Sequence, residues 1–308
     1  MKNRILISGF FWIGLLLTAC STPTAQTSPS SEEIQHQNPP LVIAIVYDTD
    51  AKKQQRQSEK LVTYLESELE IPVEYRLIPN SNAAITAFKQ AEIELVWLDG
   101  LNGVKARSKV QGASAIVQRD IDEQFYSLFI AHQSSGLPPF NDLFDLEKLK
   151  GKTIIFAGRY SISGRIMPQY FLQQAGVSLE DFAGKPNFSV TPEYTIQQVE
   201  TGSYDVGVVN ETLWQQKVDT NTINLEQVYV IWRTPAYSNY HWVIHPNIQQ
   251  KYGQEMTQKI QQAFFNLDPS IPSEKEILDL FETGRFIPTN NQNYNAIEEI
   301  SKQLNLIQ

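Results

Sequence analysis

The residues in this chain best suited to chemistry are two serines one residue apart and followed by glycine, Ser161-Ile162-Ser163-Gly164. They lie between a β-rich run over 153–156 and the set Ile166, Met167, Tyr170, Phe171 and Ala175, which recurs at helical spacing before a terminating Gly176. The order is therefore strand, tight loop, helix. The first N–H groups of a helix have no carbonyl partner within it, its dipole is positive at that end, and two hydroxyls stand beside them. Such a set holds a small anion without reacting with it. Most serines before helices are only caps, and Ser163 is placed for that role. Pro168 then falls one position too deep, so a late start or a distorted first turn is expected.

Reactive alternatives are weaker. His241 and His245 are four apart, but Trp-Val-Ile between them reads as a buried strand, and no Glu follows the first His. The serines lack the flanks of a nucleophile elbow. Tyr237 and Tyr240 as a ferric pair lack evident carboxylate and His partners. Solute binding is favoured, with no catalytic residue, metal or cofactor expected.

Such a loop must be held at a strand end. The run 41–47 is continuously apolar, as in a strand covered on both faces. A helix over 52–70 with Leu61, Leu65 and Leu69 on one stripe, strands over 73–78 and 93–98, and a helix over 82–90 complete a β-α-β-α-β block. A helix over 103–108 and a strand over 113–118 follow. A second block repeats the rhythm: strand 153–156, the helix after Gly164, strand 188–190, helix 194–200 and strand 205–209. Segments 88–97 and 199–208 share one pattern of helix end, turn, acidic residue and buried strand, which predicts two lobes of similar plan.

The segments 125–131 into 132–139, and 228–232 into 233–240, read as the chain's two crossings between lobes. The first lobe is then 41–131 plus 241–308 and the second 132–240. Helices over 248–266, 273–281 and 293–306 are expected to pack on the first lobe. Ligands of open α/β sheets sit at the carboxyl ends of strands. The candidates there are Tyr47 with Asp48, Asp99 with Gly100, the serine loop, and Asn210 with Glu211. Tyr194 opens a helix, and Tyr237 and Tyr240 lie on the second crossing.

Lys2 and Arg4 precede an apolar run over 5–17 that is too short to span a membrane but fits an export leader ending in Leu17-Thr18-Ala19-Cys20. The expectation is a leader over 1–19, diacylation of Cys20, and a flexible tether over 20–40. Fifteen of the twenty residues from 21 to 40 are Ser, Thr, Pro, Gln or Asn, too polar to bury a core. Two acyl chains suffice for stable anchoring. Cys20 is the sole cysteine, so disulfides and Cys-type zinc sites are excluded. Removing Lys2 and Arg4 takes the formal net charge from −9 to −11, which argues against nucleic acid but not against a small anion held by local dipoles.

The serine loop resembles the Ser-Thr-Ser-Gly loop of the phosphonate-type substrate-binding proteins of ABC transporters, a family that serves phosphonate, phosphite or selenate uptake. The lead-in Asp145-Leu-x-x-Leu-Lys-Gly-Lys152 fits it too, and the resemblance runs over roughly 41–245. It implies an α/β, type II periplasmic-binding-protein fold: two lobes, each a mixed, mostly parallel sheet flanked by helices, joined by a two-strand hinge. It also implies a monomeric, lipid-anchored, exported binding component, not an enzyme, that hands a small tetrahedral oxyanion to a membrane permease. Ile162 replaces the family's middle Thr, and Tyr194 stands where a His is common. The segment Val104-Lys-Ala-Arg107 and the run 118–123 look closer to the selenate branch. The acids Asp48, Asp99, Glu193 and Glu211 instead favour a phosphorus oxyanion that still carries a proton. Selenate uptake and a ligand sensor are the alternatives.

Overall fold

The computed structural model describes residues 39–46 and 51–307, with side chains from Ser58 onward in its first helix. Cys20, Tyr47 and Asp48 lie outside the described residues. The first block is β1 (Leu41–Ile45), α1 (Ala51–Leu69), β2 (Val73–Tyr75), α2 (Ser81–Lys89), β3 (Leu95–Leu98), α3 (Gly100–Lys109) and β4 (Ser114–Arg119). The chain then crosses to β5 (Ser127–His132), β6 (Ile154–Phe156), α4 (Met167–Gln174), β7 (Asn187–Phe188), α5 (Pro192–Glu200), β8 (Val206–Asn210), α6 (Glu211–Asp219) and β9 (Val228–Arg233). It returns through β10 (His241–Ile244), α7 (Ile248–Tyr252), α8 (Met256–Phe265), α9 (Pro272–Leu280), β11 (Phe286–Pro288) and α10 (Asn295–Gln303).

Two sheets result, ordered β2-β1-β3-β10-β4-β11 and β7-β6-β8-β5-β9. In each, three strands are parallel (β2, β1, β3; β7, β6, β8), and the next strand, β10 or β5, runs antiparallel to them. That inserted strand is delivered by a crossing from the other lobe. Side chains alternate between two apolar layers. Leu41, Ile43 and Ile45 meet Leu61, Leu65, Ile260 and Phe264, while Val42 and Ala44 meet Ala84, Phe88 and Ala106. This is why β1 is apolar at every position.

The repeat seen in sequence has a physical use. Glu94, just before β3, accepts from Val42 N–H of the neighbouring β1 at 3.0 Å. Asp205, just before β8, accepts from Thr153 N–H at the start of the neighbouring β6 at 2.8 Å. In each lobe an acid ends the helix-to-strand turn and satisfies a strand N–H that the ladder leaves open.

Several boundaries differ from expectation. Residues 127–132 belong to the second sheet, since β5 pairs with both β8 and β9. The first crossing is therefore 120–126, not 132–139, and the lobe limit at 131 moves upstream. The apolar run at 125–131 showed a strand but not which sheet would take it. The helix expected over 248–266 is broken at Gly253, whose φ of +99° no helix tolerates. β11, an edge strand of three residues ending in Pro288, was not anticipated. The tail does not pack on the first lobe alone. α10 lies against α3 and also against α4, with Ile297 and Ile300 in one core with Leu101, Val104, Ile166 and Met167.

Candidate ligand-binding site

The loop after β6 is built around a shortage of hydrogen bonds that Pro168 creates. Residues Ile162–Ile166 form one π-turn, in which Ile166 N–H reaches back five residues to the Ser161 carbonyl at 2.9 Å. Pro168 has no N–H, so the carbonyls of Gly164 and Ser163 lose their helical donor. Ala157 N–H fills the first at 3.1 Å, and the Ser127 hydroxyl fills the second at 2.7 Å. The distorted first turn is thus present, and the cap is Ser161 rather than Ser163: its Oγ accepts from Gly164 N–H at 2.9 Å. That leaves the Ser161 hydroxyl hydrogen free to donate. Ile162 and Ser163 carry the first two N–H groups of the turn, for which no earlier carbonyl of the turn exists. A Cβ on Gly164 would stand 2.0 Å from the Ala157 carbonyl oxygen, so only glycine closes this loop.

Ser163, 9% exposed, ties the loop to the hinge. The Ser127 hydroxyl donates to the Ser163 carbonyl and so accepts from the Tyr237 hydroxyl, at 2.7 Å. Burial raises the Tyr237 pKa, opposed by its hydrogen bonds with the Ser127 and Ser163 side chains. Ser127 opens β5 directly after the first crossing and Tyr237 lies on the second; the two crossings pair at Phe125 and Tyr237, and Ser127 N–H donates to Thr234 Oγ1 at 3.0 Å. Hinge and loop are therefore one hydrogen-bonded unit. Tyr237 is a buried strut rather than an open ring on the cleft.

On the first lobe, Asp99 caps α3, accepting from Asn102 N–H at 3.0 Å. Burial raises its pKa against those hydrogen bonds. Gly100 N–H donates to Asn239 Oδ1 at 3.2 Å, which joins this strand end to the second crossing. Tyr240 stacks on Trp97 with centroids 5.9 Å apart, under the Arg119 guanidinium at 5.2 Å. Its N–H donates to Asp122, which pairs with Arg119. Tyr237 and Tyr240 thus sit in separate environments, and His241 and His245 are packing residues. His241 Nδ1 lies 2.9 Å from the Asn239 carbonyl, and His245 meets Phe88 edge-on.

On the second lobe, Glu211 grips Arg233 with both carboxylate oxygens, at 2.6 and 2.7 Å. Its charge is compensated there. Tyr194, in the first turn of α5 after the Thr191 cap, is 49% exposed. Sequence reading passed over Ser127 and two arginines. Arg159 and Arg165 both lie over the Phe188 ring, at 4.4 and 4.8 Å, and Phe188 stacks on Phe156 at 5.8 Å. An apolar residue after a short strand gives no signal of such a platform. The lead-in motif is structural: Leu146 and Leu149 are fully buried and Lys152 donates to the Ser135 carbonyl at 2.7 Å.

The strand ends of both lobes thus converge on the crossings with hydroxyls, amide groups and a half-buried carboxyl. Residues 43–294 match the family described as ABC transporter, phosphonate, periplasmic substrate-binding protein. The chain is 37% identical over 244 residues to the probable ABC transporter phosphite binding protein PhnD1 of Prochlorococcus marinus (strain MIT 9301), covering 79% of this chain and 82% of that protein. The PhnD1 structure from that organism in complex with methylphosphonate superposes with a TM-score of 0.68 at 34% identity, over 87% of this chain and 98% of that one. The periplasmic aliphatic sulphonate binding protein SsuA of Escherichia coli shares the fold, with a TM-score of 0.58 at 13% identity over 87% and 94%. The two sheets are those of a type II periplasmic binding protein, and the chain belongs to the family of periplasmic substrate-binding proteins of phosphonate ABC transporters, which are binding components and not enzymes.

Proposed function

We propose that this protein captures a phosphorus oxyanion (phosphonate, phosphite or phosphate) between its lobes and presents it to a membrane permease, as a monomer anchored through lipid on Cys20. The observation that carries the reading is the loop at 161–164. There a capped Ser161 keeps its hydroxyl proton, and two leading N–H groups face no helical acceptor. Ser161, Ile162, Ser163 and Gly164 hold the anion on the second lobe, with Tyr194 at the rim. Tyr47, Asp99, Gly100 and Tyr240 meet it from the first lobe on closure, while Tyr237 and Glu211 brace the hinge and the strand end.

A carboxyl set beside a bound anion needs a proton between the two, and the upward shift at the half-buried Asp99 acts in that direction. Asp99 therefore favours monoanions that keep an O–H over selenate and sulfate, which have none at neutral pH. The relatives named for phosphite and methylphosphonate agree in class. The stretches that look selenate-like serve packing instead: Arg107 lies over Tyr294, and Arg119 pairs with Asp122.

Competitive titration of phosphite, methylphosphonate, aminoethylphosphonate, phosphate, sulfate and selenate tests the reading on protein made without the lipid. Phosphorus anions should bind tightest, and Asp99→Asn should narrow their lead. Selenate binding tightest, undiminished as pH rises, would overturn it. For the anchor, Cys20→Ser should move the protein out of the membrane fraction; unchanged fractionation would count against lipidation.

A further inference from the structure

Arg159 and Arg165 bracket the serine loop in sequence and are drawn together in space. Arg165 Nη1 donates to the Arg159 carbonyl at 2.7 Å, closing a ring around residues 160–164, and its Nε donates to Gln169 Oε1 at 3.1 Å. Both guanidiniums lie over the one Phe188 ring, at 4.4 and 4.8 Å, and that ring stacks on Phe156. Phe188 ends β7 in register with Phe156 of β6, so the pair stands at the strand edge from which the loop springs. Among the described residues neither guanidinium has a carboxylate partner, whereas Arg233 and Arg119 both do.

Partial burial of Arg165 lowers its pKa, and repulsion from the neighbouring Arg159 lowers it further. On a chain of net charge −9, such a pair without acids opposes the overall field at one place. Cation–π contact with Phe188 offsets part of the repulsion and fixes where the charge points. An arriving anion would relieve the rest.

We propose that Arg159 and Arg165 form an outer anion contact that draws the ligand to the serine loop. The proposal rests on the reading of the loop as an anion site. Arg165 also positions the loop through the Arg159 carbonyl, so the charge effect is read at Arg159, whose side chain makes no hydrogen bond among the described residues. Screening by salt distinguishes a steering charge from a structural one.

The experiment is calorimetric titration of methylphosphonate and phosphite into parent, Arg159→Gln and Arg159→Lys protein, at about 10 mM and about 500 mM salt. At low salt, Arg159→Gln should weaken binding by about three- to tenfold, and the gap should close at high salt. Arg159→Lys, which keeps the charge, should bind within about twofold of parent, and thermal midpoints should agree among all three. Equal affinities of parent and Arg159→Gln at low salt, or a loss that high salt does not diminish, would overturn the outer contact while leaving the loop assignment standing. A parent that binds none of these anions would overturn the loop assignment and this proposal with it.

Discussion

The two lobes are the same machine with different tools at the working edge. Strand for strand, β2-β1-β3-β10-β4 answers β7-β6-β8-β5-β9, and the acids Glu94 and Asp205 do equivalent work. The inserted strands even begin at matching places: His241 lies opposite Leu98, the last residue of β3, and Ser127 opposite Asn210, the last of β8. In the first lobe that position is a buried imidazole packed 3.8 Å from the Tyr294 ring. In the second it is a hydroxyl wired to the serine loop. The first lobe's edge carries carboxyls and aromatic packing, and the second carries hydroxyls and guanidiniums. Shared topology therefore fixes where the strand ends lie, and the residues there give each lobe its own chemistry.

The largest expected difference between the lobes is in acid. Burial, with Arg107 beside it, lowers the His241 pKa to about 3. The unfolded chain takes that proton near pH 6.5 and the folded chain does not, so this contribution is complete above about 6.5 and is lost as pH falls. The slope approaches about 1.4 kcal/mol per pH unit, giving on the order of 3 kcal/mol by pH 4. Urea melts of parent and His241→Gln at pH 7, 5.5 and 4 measure it. Parallel losses in the two proteins would remove His241 as the cause.

The paired acids come next. Glu94 is 1% exposed and also holds Lys251, so Glu94→Ala should cost about 3 kcal/mol. Asp205→Ala should cost about 2 kcal/mol, since this half-buried carboxylate meets only Thr153 among the described residues. Denaturant midpoints rank them, and equal costs would mean that burial is not what separates the lobes.

A third contrast concerns glycine at the two edges. In Gly164→Ala the new methyl meets backbone at 2.0 Å, but in Gly100→Ala it meets the Ile297 Cδ1 at 2.6 Å, which can turn aside. The first should cost about 2–3 kcal/mol and ligand binding with it, the second about 1 kcal/mol. Thermal melts with and without methylphosphonate check both.

The smallest effects should fall on the serines. Ser161→Ala and Ser163→Ala should each weaken anion binding by about tenfold or somewhat more, and Ser161→Ala should also cost about 1 kcal/mol as the lost cap. Titration calorimetry with methylphosphonate reads the first and melting the second. Full affinity in both variants would reduce the loop to helix capping.

Sequence alone determined the two α/β blocks, the repeated acid before a buried strand, and the serine loop with its awkward Pro168. Each of these is local: apolar periodicity, turn residues and a missing N–H act within a few residues of where they are read. Tertiary structure decided which sheet takes 127–132, because an apolar strand fits either core until its partners are in place. It decided that Tyr237 is a strut, that Glu211 is spent on Arg233, and that α10 spans both lobes. It also set Arg159 and Arg165 over Phe188. Those facts depend on side chains more than 20 residues apart in the chain, whose meeting no local pattern encodes.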